Sequence, residues 1–166
     1  MNDKHVQTSV LFVCMGNICR SPTAEGVFRR LVEDAGLAGQ VLVDSAGTHA
    51  YHVGEPADRR AAAAAARRGY SLEGIKARRV APEDFERFDY VLAMDEDNLA
   101  ILGELASADA RATLRLFLEY GDAGEREVPD PYYGGAAGFE QVLDLVENAA
   151  RGLLEELRNR KGGAAR

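Results

Sequence analysis

Tryptophan is absent from this chain, and cysteine is limited to Cys14 and Cys19. Two thiols so close together cannot staple a secreted fold, and a free reactive thiol suits a reducing compartment, so the cytoplasm is the expected location. Histidine is scarce as well. His5, His49 and His52 stand at no metal-ligand spacing and read as exposed or satisfied imidazoles, so neither a metal nor a cofactor is expected. Positive charge is the minority sign, 20 Lys and Arg against 27 Asp and Glu, and a net charge of -7 argues against nucleic acid as a partner. It leaves anionic substrates open, because a focused local field decides binding in a cleft. No apolar run is long enough for a membrane span or a signal-peptide core. Both the Gly-Lys-[Ser/Thr] phosphate loop and the Gly-x-Gly-x-x-Gly pattern are missing, which speaks against nucleotide binding.

What is present is an alternation of strand and helix patterns, over a length that fits one domain spanning 1–166. Continuous apolar character over 9–13 predicts a central strand buried on both faces. A helix is predicted over 21–35, with Pro22 in its first turn and Gly36 after its end. Further strands are expected over 41–45, 88–94 and 113–117. Helices are expected over 57–68, 96–105 and 138–158, while the polar ends, 1–7 and 159–166, are expected to fray. This order implies a three-layer α/β/α architecture with a central four-stranded parallel sheet. Ligands of such sheets bind beyond the carboxyl ends of the strands. Cys14, Ser45, Asp95 and the loop holding Asp130 follow or end the four strands, so they are expected to share one crevice.

The densest chemistry lies at the first of those ends, Cys14-Met15-Gly16-Asn17-Ile18-Cys19-Arg20-Ser21-Pro22. A tight loop between a strand and a helix N-terminus turns its N–H groups inward and carries the positive end of the helix dipole. The donors that would hold a phosphate also favour a thiolate. Arg20 adds a planar fork for two oxygens of an oxyanion. Gly16 permits close approach of the backbone, and Asn17 tolerates a left-handed conformation. Ser21 can donate its hydroxyl to the thiolate of Cys14.

The Cys-x5-Arg pattern is that of protein tyrosine phosphatases. Its wording and N-terminal placement, with 44–48 (Asp-Ser-Ala-Gly-Thr) and 128–135 (Val-Pro-Asp-Pro-Tyr-Tyr-Gly-Gly), resemble the low-molecular-weight family of those enzymes. The resemblance implies hydrolysis of phosphotyrosine through a phosphocysteine intermediate. Cys14 would be nucleophile, Arg20 the phosphate clamp and Asp130 the general acid and base. Met15, Gly16, Asn17, Ile18, Cys19 and Ser21 would form the phosphate cradle. Tyr51, Tyr132 and Tyr133 would wall a slot for the aromatic ring, although Tyr133 reads equally as a surface residue. Ser45 would buttress Asn17, a role no stronger than ordinary loop chemistry. Asp95 would support the site or cap the helix after it. The implied partner is a phosphotyrosine-containing protein, with phosphate and other oxyanions as inhibitors, no membrane contact, and a monomer or weak dimer as the working state. Cys19 reads either as a thiol that captures an oxidised Cys14 or as a small packing residue. One departure stands out: many members carry a His where this chain has Ile75, which questions how the loop is held rigid.

Rivals are arsenate reduction, protein arginine phosphatase activity and an idle phosphate-binding module. An internal thiol relay for arsenate is impossible, because no Cys follows Cys19, which leaves only reduction by an external thiol. Arginine phosphatases resemble the family but typically carry Thr where this chain has Ile18. An idle module would have no need to retain Cys14, Arg20 and Asp130 together.

Overall fold

Four consecutive apolar residues at 10–13 place β1 (Thr8–Cys14) in the middle of the sheet, where both faces are covered. Val10, Phe12 and Cys14 face one core, and Leu11 and Val13 the other, as the two-residue strand period demands. The computed structural model describes residues 7–132 and 134–164; residues 1–6, with His5, and Tyr133 and residues 165–166 lie outside the described residues. β1 pairs in parallel with β2 (Val41–Gly47) on one side and β3 (Tyr90–Ala93) on the other. β4 (Thr113–Leu116) pairs in parallel with β3, giving the order β2-β1-β3-β4.

Helices α1 (Arg20–Asp34), α2 (Arg59–Arg67) and α5 (Ala136–Ala164) supply side chains to the core on one face. The short α3 (Asp84–Arg87) and α4 (Glu96–Leu105) supply the other. The architecture is therefore the three-layer α/β/α expected from the alternation. All four strands run the same way, so their carboxyl ends open onto one edge.

The boundaries differ from expectation where side chains act across the chain. β2 runs on to Gly47, because Gly47 pairs with Cys14. α2 starts at Arg59, because Asp58 caps it by accepting from the N–H groups of Arg60 and Ala61. β3 is shorter than 88–94, since Phe88 closes α3 and Asp89 turns its carboxylate to the Ser9 N–H at 2.8 Å. The turn at α3 and the 3-10 turn at Phe117–Tyr120 are too short for hydrophobic periodicity to reveal. α5 begins at Ala136 and continues to Ala164, so 159–164 are helical where fraying was expected. The reason is a long-range contact: Arg160 reaches the hydroxyl of Tyr90 and lies over its ring at 5.4 Å. At the other end, Gln7 is held by its side-chain bond to the Gly39 carbonyl.

α5 crosses the end of that 3-10 turn at near backbone contact. A Cβ on Gly152 would overlap the Tyr120 carbonyl oxygen. Inside an exposed helix, Gly→Ala usually stabilises by about 1 kcal/mol. Here the helix must move off the sheet, so Gly152→Ala should destabilise by roughly 1–3 kcal/mol instead. Urea denaturation checks this, and a gain in stability would contradict the crossing geometry.

Candidate active site

The loop between β1 and α1 wraps around the Cys14 sulfur. Sγ lies 3.0 Å from Ser21 Oγ, 3.3 Å from the Asn17 N–H nitrogen and 3.5 Å from that of Ser21. Asn17 adopts φ 60°, the left-handed region that Asn tolerates better than most residues. Its side chain fixes the turn. Oδ1 accepts from the Arg78 N–H at 3.0 Å, and Nδ2 donates to Ser21 Oγ at 2.8 Å and Ser45 Oγ at 3.0 Å. The next strand closes the loop from outside, as the N–H groups of Thr48 and His49 donate to the carbonyls of Cys14 and Met15. That contact is possible because residue 47 is glycine: a Cβ there would stand 2.7 Å from the Met15 carbonyl oxygen.

Arg20 is the first residue of α1 and is 2% exposed. Nη1 donates to Asp95 Oδ2 at 2.6 Å and to the Val128 carbonyl at 3.0 Å, while Nη2 lies 3.6 Å from Asp130 Oδ2. Burial alone would weaken its charge, but Cys14, Asp95 and Asp130 together hold its pKa above the ordinary value. Asp95 does both things expected of it. It grips Arg20, and it caps α4 by accepting from the Asn98 N–H at 2.8 Å. Its two oxygens are thus committed. Asp130 has a side chain 40% exposed, one oxygen toward Arg20 and the other accepting from the Tyr132 N–H at 3.1 Å.

Cys14, Arg20 and Asp130 line one cleft of about 180 Å³ with Met15, Gly16, Ile18, Cys19, Tyr51, His52 and Tyr132; Ser45 and Asp95, expected in the same crevice, are not in its lining and touch it through Asn17 and Arg20. Tyr51 stands at its mouth, stacked on His49 with centroids 5.1 Å apart. Tyr132 forms another wall, with the Arg60 guanidinium 5.4 Å from its ring centroid. Tyr133 falls outside the described residues. Ser45 is buried and touches Asn17, as the resemblance implied. Among the described residues no group of three or more His, Cys, Asp or Glu could hold a metal ion, and no helix is long and apolar enough to cross a membrane.

Sequence reasoning missed three contributors. His52, read there only as an exposed or satisfied imidazole, lines the cleft beside Gly16 and is held by Glu55 at 3.1 Å. Gly47 makes room for the loop. Glu25 receives the Ser45 hydroxyl at 2.6 Å. Burial pushes the Glu25 pKa up, against the opposing pull of Ser45 and Arg29. The only advance signal was positional, since Glu25 sits four residues before Arg29 on α1.

A family model described as low molecular weight phosphotyrosine protein phosphatase matches residues 9–162. A low molecular weight protein-tyrosine-phosphatase of Streptomyces coelicolor is 49% identical over 160 residues, covering 94% of this chain and 97% of that protein. The human low molecular weight phosphotyrosine protein phosphatase is 41% identical over 150 residues, covering 89% of this chain and 94% of that one. The crystal structure of a protein tyrosine phosphatase from Entamoeba histolytica superimposes with a TM-score of 0.89 at 39% identity, covering 93% of this chain and 99% of that chain.

The two thiols differ in kind. Burial, followed by the charges of Asp58, Cys14 and Asp130, pushes the Cys19 pKa up to about 12. A thiol raised this way stays protonated through neutral pH, which also slows any capture of an oxidised Cys14 by Cys19. Iodoacetamide at about pH 7 should therefore label Cys14 and leave Cys19 free, with inorganic phosphate protecting Cys14. Peptide mapping by mass spectrometry reads the result; preferential labelling of Cys19 would overturn this division.

Proposed function

The chain belongs to the low molecular weight phosphotyrosine protein phosphatase family, and from that premise we propose that it hydrolyses phosphotyrosine in proteins through a phosphocysteine intermediate. The observation that carries the reading is the Cys14 sulfur, ringed by one hydroxyl and two N–H groups on the floor of a cleft that also holds Arg20 and Asp130. A sulfur in such a ring is built to bear negative charge. Thiolate attack forms the S–P bond as the P–O bond to the tyrosine ring breaks, and Asp130 gives its proton to the leaving phenolate. The same carboxylate then takes a proton from water. Attack of that water breaks the S–P bond, releases phosphate and restores the thiolate.

Arg20 has Nη1 committed to Asp95 and Val128, which leaves Nε and Nη2 for the equatorial oxygens. Their grip tightens as charge spreads over those oxygens in the transition state. Asp130 is the better acid on geometric grounds, because it lines the cleft with Cys14 and stands 3.6 Å from Arg20, whereas Asp95 is outside the lining and is bonded to Arg20 at 2.6 Å. Ile18, Tyr51, His52 and Tyr132 form a slot of apolar and flat faces suited to an aryl ring, whose depth disfavours the shorter phosphoserine. The free inorganic anion fits the same cradle and acts as a competitive inhibitor. The working form is a monomer or weak dimer in the cytoplasm, where its thiol stays reduced.

Turnover of an aryl phosphate at mildly acidic pH with a chelator present tests the reading. The wild type should be active. Asp130→Ala should lose about 10²–10⁴ in kcat for a poor leaving group. Arg20→Lys should lose most of kcat/KM, because a point charge cannot replace the fork. An inactive wild type with Cys14 shown to be reduced would refute the proposal, and an unimpaired Asp130→Ala would refute the acid assignment.

A further inference from the structure

The segment carrying Asp130 is held on both sides of the acid. Before it, the Val128 N–H donates to the Met94 carbonyl at 2.8 Å, and the Val128 carbonyl accepts from Arg20 at 3.0 Å. After it, the anchor is a ring. The Arg60 guanidinium lies 5.4 Å from the Tyr132 ring centroid and 4.8 Å from that of Phe139, so it serves two rings from one place. Asp58 fixes it there. Oδ1 accepts from Arg60 Nε at 3.2 Å and Oδ2 from Nη2 at 3.0 Å, while Oδ1 also caps α2. The Asp58 N–H in turn donates at 2.8 Å to the carbonyl of Ile18, in the loop that carries the nucleophile. Phe139 is buried near the start of α5, next to Gly138, which faces Pro131.

We propose that Arg60 is a positioning residue for the general acid: clasped by Asp58 and packed on Tyr132 and Phe139, it registers the Asp130 segment against the loop that carries Cys14. This rests on the reading of Asp130 as the acid. The carboxylate follows Tyr132, because Asp130 Oδ1 accepts from the Tyr132 N–H at 3.1 Å. The other oxygen lies 3.6 Å from Arg20 Nη2, too far for a hydrogen bond, so that contact does not fix its direction. Pro129 and Pro131 restrict the backbone on either side of Asp130, so a shift of Tyr132 passes to the carboxylate and is not absorbed between them. Arg60 is outside the lining of the cleft, whereas Tyr132 is in it, so Arg60 acts through that ring. The Val128 anchor holds only the other side of the acid, and it belongs to β3 and Arg20. Arg60 therefore supplies a link from the far side of the acid to the nucleophile loop, through Asp58 and Ile18.

The test is kcat/KM for phenyl phosphate and p-nitrophenyl phosphate in wild type, Arg60→Gln, Phe139→Leu, Asp130→Ala and the double variant Arg60→Gln/Asp130→Ala. This constant runs through cleavage of the P–O bond. Phenolate leaves poorly without a proton, whereas p-nitrophenolate leaves well without one. Arg60→Gln should lose roughly five- to thirtyfold with phenyl phosphate and less than about twofold with the nitro ester. Phe139→Leu removes one of the two rings and should shift the ratio of the two esters the same way. On the Asp130→Ala background, Arg60→Gln should cost nothing further, because the acid it positions is gone. Circular dichroism establishes folding, and Phe139→Leu carries the test if Arg60→Gln does not fold. Equal losses for the two esters, no loss, or a further loss on the Asp130→Ala background would show that Arg60 only supports the fold. A wild type inactive toward both esters would overturn the phosphatase reading and this inference with it, so the two failures are told apart.

Discussion

The site depends on the side chain of Asn17. A left-handed residue costs about 1–2 kcal/mol when it is not glycine, and the loop pays that to aim its backbone N–H groups at the Cys14 sulfur. Three hydrogen bonds from one amide hold the conformation in place, one to the Arg78 N–H, one to Ser21 and one to Ser45. They join the loop to α1, to β2 and to the segment after α2. A single planar group thereby ties together three parts of the chain behind the cleft. The arrangement works only because Gly47 has no side chain to push the loop away.

The second organising force is electrostatic. A chain of net charge -7 holds an anion site because the positive charge is placed inside it. Arg20 is nearly inaccessible, and a buried guanidinium without a partner would be severely destabilising. Asp95, delivered by the turn after β3, neutralises it on one side, and the Val128 carbonyl anchors it on another. The loop carrying Asp130 is itself fixed by the Val128 N–H donating to the Met94 carbonyl, just past β3. Clamp, counter-ion and acid are therefore registered against the same strand end, so a shift in one is felt by the others.

Much of this was legible in the sequence, and the reasons divide cleanly. β1 and α4 announce themselves by local pattern, an unbroken apolar run and an Asp cap ahead of a helix. The motif residues of the loop are adjacent in sequence, so their shared role shows without a structure. What stayed hidden depends on distance along the chain. Glu25 on α1 looks like a solvated helix charge until Ser45 and Arg29 are seen to enclose it. His52 has no neighbour in sequence to suggest that it stands against Gly16. Gly152 reads as a weak point in a helix, although it is where the helix crosses another backbone. The last turns of α5 look frayed because their anchor, Tyr90, lies seventy positions away.

Glu25 also bears on Ile75, where the family often has a polar ring. Ile75 is buried in the larger core with Leu72 and Ala77, so at this position the chain gains apolar burial and supplies no cation to the loop. The carboxylate of Glu25 stays buried and relies on Arg29, whose side chain is 44% exposed. Burial raises the pKa of Glu25, so its proton is bound more tightly in the folded state than in the unfolded chain. Its contribution to stability is then greatest below the unfolded value and is lost as pH rises through the folded value. The bonds it receives from Ser45 and Arg29 act against that preference, since both favour the charged form that burial disfavours.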